Sequence, residues 1–296
     1  MMANMSRIGL WLFGLILLFP QSRLSAKEKP LPQSWHINLA PVVETFAAPL
    51  ADASPPQRNL LTALQAEVRE AELALGYLEL WTQLKQREQV QLTREQTEWL
   101  AMRAAPSPQV GGDADASDPT SANLAKIRWT EKRTAALRKR LHTLRTLPEV
   151  VAFPPISSPI PPLWRLDLQG AFDWLEQDSQ DGPITAIVHN HRCQVAICDA
   201  ELAIVYLELW IHAGKKERQG LRMEQTAWLD TRVRKMRAAA AGRADEPLAM
   251  LKTYRVSVLM SQERIVELRR RAASAISLVA NPGCSQEGYR KSLALD

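Results

Sequence analysis

An all-α fold of two tandem long α-hairpins is what this sequence predicts, and three observations predict it. The first is internal repetition. Ala71-Glu-Leu-Ala-Leu-Gly-Tyr-Leu-Glu-Leu-Trp81 returns as Ala200-Glu-Leu-Ala-Ile-Val-Tyr-Leu-Glu-Leu-Trp210, shifted by 129 positions. Pairing Ala71–Arg103 with Ala200–Arg232 gives 17 identities over 33 positions, so the chain holds two copies of one unit. The second is composition. Gly is scarce, at 12 of 296 residues, while Ala, Leu, Glu, Gln and Arg abound, which suits long helices. The third is spacing. Leu61, Leu64, Val68, Ala71, Leu75 and Leu78 step alternately by three and four, as a coiled-coil seam does.

Taken in order, residues 1–26 read as a signal peptide. Arg7 supplies the positive start, and Ile8–Phe19 is an apolar run too short to cross a bilayer comfortably. Residues 27–56 hold six prolines and read as an arm, whose apolar run Ile37–Leu50 forms a short strand or packs on the body. The first repeat, 57–147, is read as one helix from Gln57 to Ala104, a loop from Pro106 to Pro119, and a return helix from Thr120 to Leu147. Leu124, Ile127, Leu137, Leu141 and Leu144 stripe that return helix. Pro-rich residues 148–162 link the copies.

The second repeat, 163–280, opens on a short amphipathic helix, Leu166–Glu176. Its leading helix is read from Ile184 to Ala240, with a bend placed at Gly214 or Gly220, each costing roughly 1 kcal/mol against Ala. Ala241–Pro247 turns the chain into a return helix over 248–279, with Leu251, Val258, Ile265, Ala272 and Ile276 on one side. Residues 281–296 are a tail.

Net charge is +5. The basic stretches Arg133–Arg145 and Arg264–Arg271 are read as solvated helix faces, so no nucleic-acid partner is expected. Three cysteines, Cys193, Cys198 and Cys284, make no disulfide framework, and a bond from Cys284 to either of the others stays open. His189 and Cys193 lie one helical turn apart and have metal-ligand chemistry, with His191 and Cys198 nearby. The matching positions of the first copy are Leu60, Leu64, Thr62 and Arg69, and Cys193 falls on the apolar seam. Cys193 is therefore read as a small core residue, and no metal site is assigned.

Glu72, Glu79, Glu201 and Glu208 recur between copies and are read as facing solvent or pairing with Arg or Lys. Trp81, Trp99, Trp210 and Trp228 also recur. They are read as packing where the hairpins meet, with Trp81 and Trp99 on one face of an unbroken helix. No Ser/His/Asp set, phosphate-binding Gly loop or CxxC pair occurs, so neither enzymatic activity nor a cofactor is expected.

The Ala-rich run into Tyr206-Leu207, the turn Ala241-Gly-Arg-Ala-Asp-Glu-Pro-Leu-Ala-Met-Leu251 and the opening Leu166-Asp-Leu-Gln-Gly-Ala-Phe-Asp-Trp-Leu175 resemble the TolC family of outer-membrane efflux proteins. The resemblance covers roughly 57–147 and 163–280. It implies a trimeric helical tunnel or docking subunit for export of small molecules, working with a periplasmic adaptor and an inner-membrane pump. The family's barrel strands have no counterpart, because no paired alternating segments of about ten residues occur. The alternative expectation is a soluble periplasmic coiled-coil interaction or adaptor protein without transport activity.

Overall fold

The structure, a computed structural model, describes residues 30–104, 118–143, 160–161, 164, 166–180, 182–241, 243 and 245–280. The readings of the signal peptide, of most of the 106–119 loop and 148–162 linker, of Leu144, of Cys284 and of the tail fall outside these residues. The described residues form helices and no strand, so the fold is all-α. The helices are α1 (Ala40–Ala47), α2 (Pro55–Gln83), α3 (Gln86–Ala104), α4 (Pro119–Thr143), α5 (Gln169–Asp178), α6 (Ile184–His212), α7 (Lys215–Ala240) and α8 (Pro247–Ala280), with a 3₁₀ turn over Ala48–Ala51.

The long hairpins take a different form from the one expected. The stretch read as one helix from Gln57 to Ala104 breaks at Leu84, whose ψ of 156° is extended. Beyond the break α3 doubles back along α2. A continuous helix would hold Glu70 and Arg103 about 50 Å apart at 1.5 Å per residue, yet their side chains form an ion pair. Tyr77 Oη also meets Thr93 Oγ1 at 3.1 Å. The second copy breaks at the matching place, between α6 and α7, at Ala213 and Gly214. Gly220, the other proposed bend, lies inside α7.

The reversal has a local cause present in both copies. Glu88 accepts the Lys85 backbone N–H at 3.1 Å, and Glu217 accepts that of Gly214 at 2.7 Å, each capping the new helix from three residues ahead. The carbonyls freed at the preceding helix end also find donors. Gln89 Nε2 donates to Trp81 O at 3.0 Å, and Arg218 Nε donates to Trp210 O at 2.9 Å. The expected seam along one 48-residue rod is thus split into two packed helices, and Trp81 and Trp99 stand on different helices.

The last helix of each repeat runs alongside the first in the same direction. Asn123 Nδ2 donates to Asn59 Oδ1 at 3.0 Å, and further along Thr130 Oγ1 donates to Glu70 at 3.1 Å. In the second copy Arg255 reaches His191, and further along Arg269 reaches Glu201. Each repeat is therefore a three-helix up-down-up unit preceded by a short helix.

The N-terminal arm is part of the repeat. Its apolar run forms α1, with no strand, and buries Val42, Val43 and Phe46. The two arms dock reciprocally. Trp35 packs edge-on against Tyr206 at 5.7 Å, and Trp164 packs edge-on against Tyr77 at 5.2 Å. Each copy thus places its arm on the leading helix of the other, the exchange expected of an isologous interface. One apolar core spans both copies, with Tyr77, Leu78, Leu80, Leu202, Tyr206 and Leu207 fully buried. α6 is apolar nearly all round because it is central, buried against α8, α2 and α5.

Candidate functional site: two equivalent clefts

The reciprocal arms leave one cleft on each half. The first, of about 510 Å³, lies between the arm (Leu31, Trp35, Ile37), α2 (Glu72, Leu75, Glu79) and Arg138 of α4. The second, of about 350 Å³, lies between Ile160, Trp164 and Leu166, α6 (Glu201, Ile204, Glu208) and Arg269 of α8. Residue for residue these are the same positions of the two repeats, Arg138 and Arg269 matching at the slightly larger shift of the return helices. Both volumes fall within the range of small-ligand sites.

Each cleft combines apolar residues with two glutamates and one guanidinium, and the second adds Asp167 while the first adds His36. Glu72 is held by Arg69 at 2.7 Å, and Glu201 by Arg269 at 2.6 Å. Glu79 and Glu208 are half-buried and make no side-chain hydrogen bond or ion pair among the described residues. Burial pushes the Glu208 carboxyl above the usual carboxylate range, with Arg269 pulling it back. The carboxylates read as solvent-facing or paired therefore divide: Glu72 and Glu201 are paired, while Glu79 and Glu208 face a cleft.

Behind each cleft a buried polar network fixes the tryptophan wall. Trp164 Nε1 donates to Glu70 Oε2 at 3.0 Å, and Glu70 also takes Arg103 and Thr130. Arg103 stacks over Trp99 at 4.6 Å. The second copy repeats this with Asp199, Arg232 and Ser261, and with Arg232 over Trp228 at 5.0 Å. Asp199 has one methylene fewer than Glu70, and the Trp35 indole N–H faces it and helps hold its pKa down, although it falls outside hydrogen-bond geometry. Burial pushes the Asp199 carboxyl up and Arg232 opposes the shift. Trp99 and Trp228 thus stack on Arg103 and Arg232, while Trp81 and Trp210 are themselves buried in the common core.

The basic stretches are internal as well as solvated. Arg140 pairs with Glu95 at 3.0 Å and Arg271 with Glu224 at 2.7 Å. Arg133 and Arg264 donate to the buried Gln96 and Gln225 at 3.1 and 3.2 Å. Arg264 is only 5% exposed, so this face is spent on α3 and α7.

The His/Cys segment lies on α6. Cys193 is fully buried on the seam, as read from the sequence. His189 Nε2 and Thr45 Oγ1 of α1 lie 2.8 Å apart, and Cys193 Sγ is 3.4 Å from the same hydroxyl. Burial raises the thiol pKa of both Cys193 and Cys198, the latter to about 12, which disfavours thiolate chemistry. No group of three or more metal-ligating side chains occurs among the described residues.

His191 bonds the carbonyl of Ile187, as Thr62 bonds that of Arg58 at the matching position. Burial, with Arg255 nearby, lowers the His191 pKa below 6.5, although the bond to Ile187 opposes this. The unfolded chain then binds the proton more readily, so this contribution to stability is present above pH 6.5 and is lost as pH falls. Urea midpoints at pH 7.5 and 5.5 should therefore differ less in His191→Gln than in the parent chain. An unchanged difference would show that His191 does not titrate in this way.

Sequence reasoning found the cleft glutamates but missed the arms that wall them in. The signal was available. Pro30-x-Pro32-x-x-Trp35-x-x-x-Leu39 returns as Pro159-x-Pro161-x-x-Trp164-x-x-x-Leu168 at the same shift of 129. Prolines that suggest a linker are here the start of each repeat. Compared with protein-family models, curated proteins and solved structures, the chain matches none.

Proposed function

We propose that the chain is a non-enzymatic, non-transporting interaction protein of the exported compartment, a helical body presenting two equivalent ligand clefts. The observation that carries this is the fold-back at Leu84 and Ala213. It shortens each leading helix to 29 residues, about 44 Å, and it turns each copy into a closed three-helix unit on a shared apolar core. A tunnel wall built from long α-hairpins needs the uninterrupted rod that this break removes. No described helix is long and apolar enough to cross a membrane.

The second reading is the efflux subunit. The duplicated helical unit and the Tyr206-Leu207 run favour it. Cell fractionation with sedimentation of the purified chain separates the two. Release with periplasmic contents and no trimer is expected. Extraction with the outer membrane as a trimer would overturn the proposal in favour of the efflux reading.

A further inference from the structure

Between Ala71–Arg103 and Ala200–Arg232, 16 of the 33 paired positions have diverged. Five ionic positions have not: Glu72/Glu201, Glu79/Glu208, Glu88/Glu217, Glu95/Glu224 and Arg103/Arg232. Four of these five have a visible structural task in both copies. Glu72 and Glu201 pair with arginines, Glu88 and Glu217 cap helices, Glu95 and Glu224 tie down the return helix, and Arg103 and Arg232 neutralise buried acids. Glu79 and Glu208 have no such contact. They are half-buried and make no side-chain hydrogen bond or ion pair among the described residues, and they lie in clefts of about 510 and 350 Å³. One guanidinium lines each cleft, Arg138 or Arg269, and Arg269 is already paired with Glu201, so the glutamates outnumber the cation.

A half-buried glutamate that no neighbouring cation pairs leaves its cleft with an excess of negative charge. Keeping it twice, in two matching clefts, fits a partner that arrives from outside and carries the opposite charge. Part of the wall around it is aliphatic: Leu31, Ile37 and Leu75 in one copy, Ile160, Leu166 and Ile204 in the other. An ammonium or guanidinium group on an apolar stem satisfies both surfaces, the cation on the carboxylate and the stem along the wall.

We infer that each cleft binds one organic cation on an apolar stem, held by Glu79 in the first copy and by Glu208 in the second. The inference rests on the reading of the chain as a two-cleft binding protein. The cation is either a free alkylamine or a lysine side chain presented by a partner polypeptide, and two probes distinguish these sources.

The test is an NMR titration of the full chain, following the indole N–H signals of Trp35 and Trp164, one at the wall of each cleft. Pentylammonium is the free-amine probe, Nα-acetyl-lysinamide is the protein-borne probe, and 1-pentanol is the uncharged control. At least one cationic probe should shift both indoles saturably, with a Kd of about 1 mM, and pentanol should not. A response to lysinamide alone identifies a partner's lysine, and a response to pentylammonium alone identifies a small amine. Glu79→Gln should abolish the Trp35 response and spare that of Trp164, and Glu208→Gln should do the reverse. The spared cleft reports that each variant is folded. The inference is overturned if neither cation shifts the indoles, if pentanol acts equally, or if the substitutions leave both responses intact. Amine binding by a chain that fractionates as a membrane trimer would sink the interaction-protein reading and leave this one standing. A periplasmic monomer that ignores both cations would do the opposite.

Discussion

Trp164→Ala is expected to lower the unfolding free energy by about 3–5 kcal/mol, the range for truncating a buried tryptophan. Trp164 is 5% exposed, its ring stands edge-on to Tyr77 at 5.2 Å, and its N–H is bonded to Glu70 at 3.0 Å. Alanine removes the packing that holds the second arm against the first copy. It also leaves a buried carboxylate oxygen short of a donor. Trp164→Phe keeps most of the packing and loses only the bond, so about 1–3 kcal/mol is expected. The reciprocal residue gives an internal control. Trp35 packs on Tyr206, and its N–H faces Asp199 outside hydrogen-bond geometry, so Trp35→Phe should cost less than Trp164→Phe. Urea unfolding of the three variants measures this. Equal costs for the two phenylalanine variants would show that the Glu70 bond contributes nothing to docking the arm.

Arg232→Ala is expected to cost about 3–5 kcal/mol, because it strands a buried carboxylate. Arg232 Nη1 serves Asp199 and also donates to Ser261 at 3.0 Å, while its plane covers Trp228. Burial already pushes the Asp199 carboxyl up against the pull of Arg232, so removing the cation leaves only the weaker pull of the Trp35 indole to oppose it. Arg232→Lys should recover part of the loss, since a point charge cannot reproduce the fork that reaches both partners. The decisive measurement is a double-mutant cycle with Asp199→Leu and Arg232→Met. Replacing both partners by apolar residues should restore most of the stability lost in Arg232→Ala. A double variant as unstable as the single one would place the cost in lost packing over Trp228 and not in the stranded charge.

Several elements were legible because their signals are local. Heptad spacing put Leu61, Leu64, Val68 and Leu78 in the core, where all four are buried. The core reading of Cys193 followed from its register with Leu64, and burial bears it out. The break at Leu84 was not legible as a reversal. No Gly or Pro marks it, and the capping Glu88 follows Lys85 where a Ser, Thr, Asp or Asn would have announced a helix start. Gly214 in the second copy suggested a bend, but helix propensity alone cannot tell a bend from a fold-back.

The polar sites divide in the same way. Identity between copies selected Glu72 and Glu79 together, since residues seven apart share a helix face. Pairing depends on what crosses from other helices and within each copy. Arg69 takes Glu72, and Arg138 of the return helix stands in the cleft beside Glu79. Arg232 lies 33 positions from Asp199, and only the folded-back α7 brings them together. Asp199 carried no sequence signal, because its partner in the first copy is a glutamate.

By itself the sequence determined an all-helical chain, a duplication, and the seam on which the two leading helices bury their apolar residues. These follow from periodicity and identity, which neighbouring residues carry. The tertiary structure alone decided the direction of α3 and α7, the reciprocal docking of the Pro-Trp arms and, with them, the two clefts. Those depend on contacts between residues tens of positions apart, such as Trp164 on Tyr77 and Arg103 on Glu70. The energy that fixes them comes from burying aromatic rings and matched charges between segments, and no stretch of helix records it along its own length.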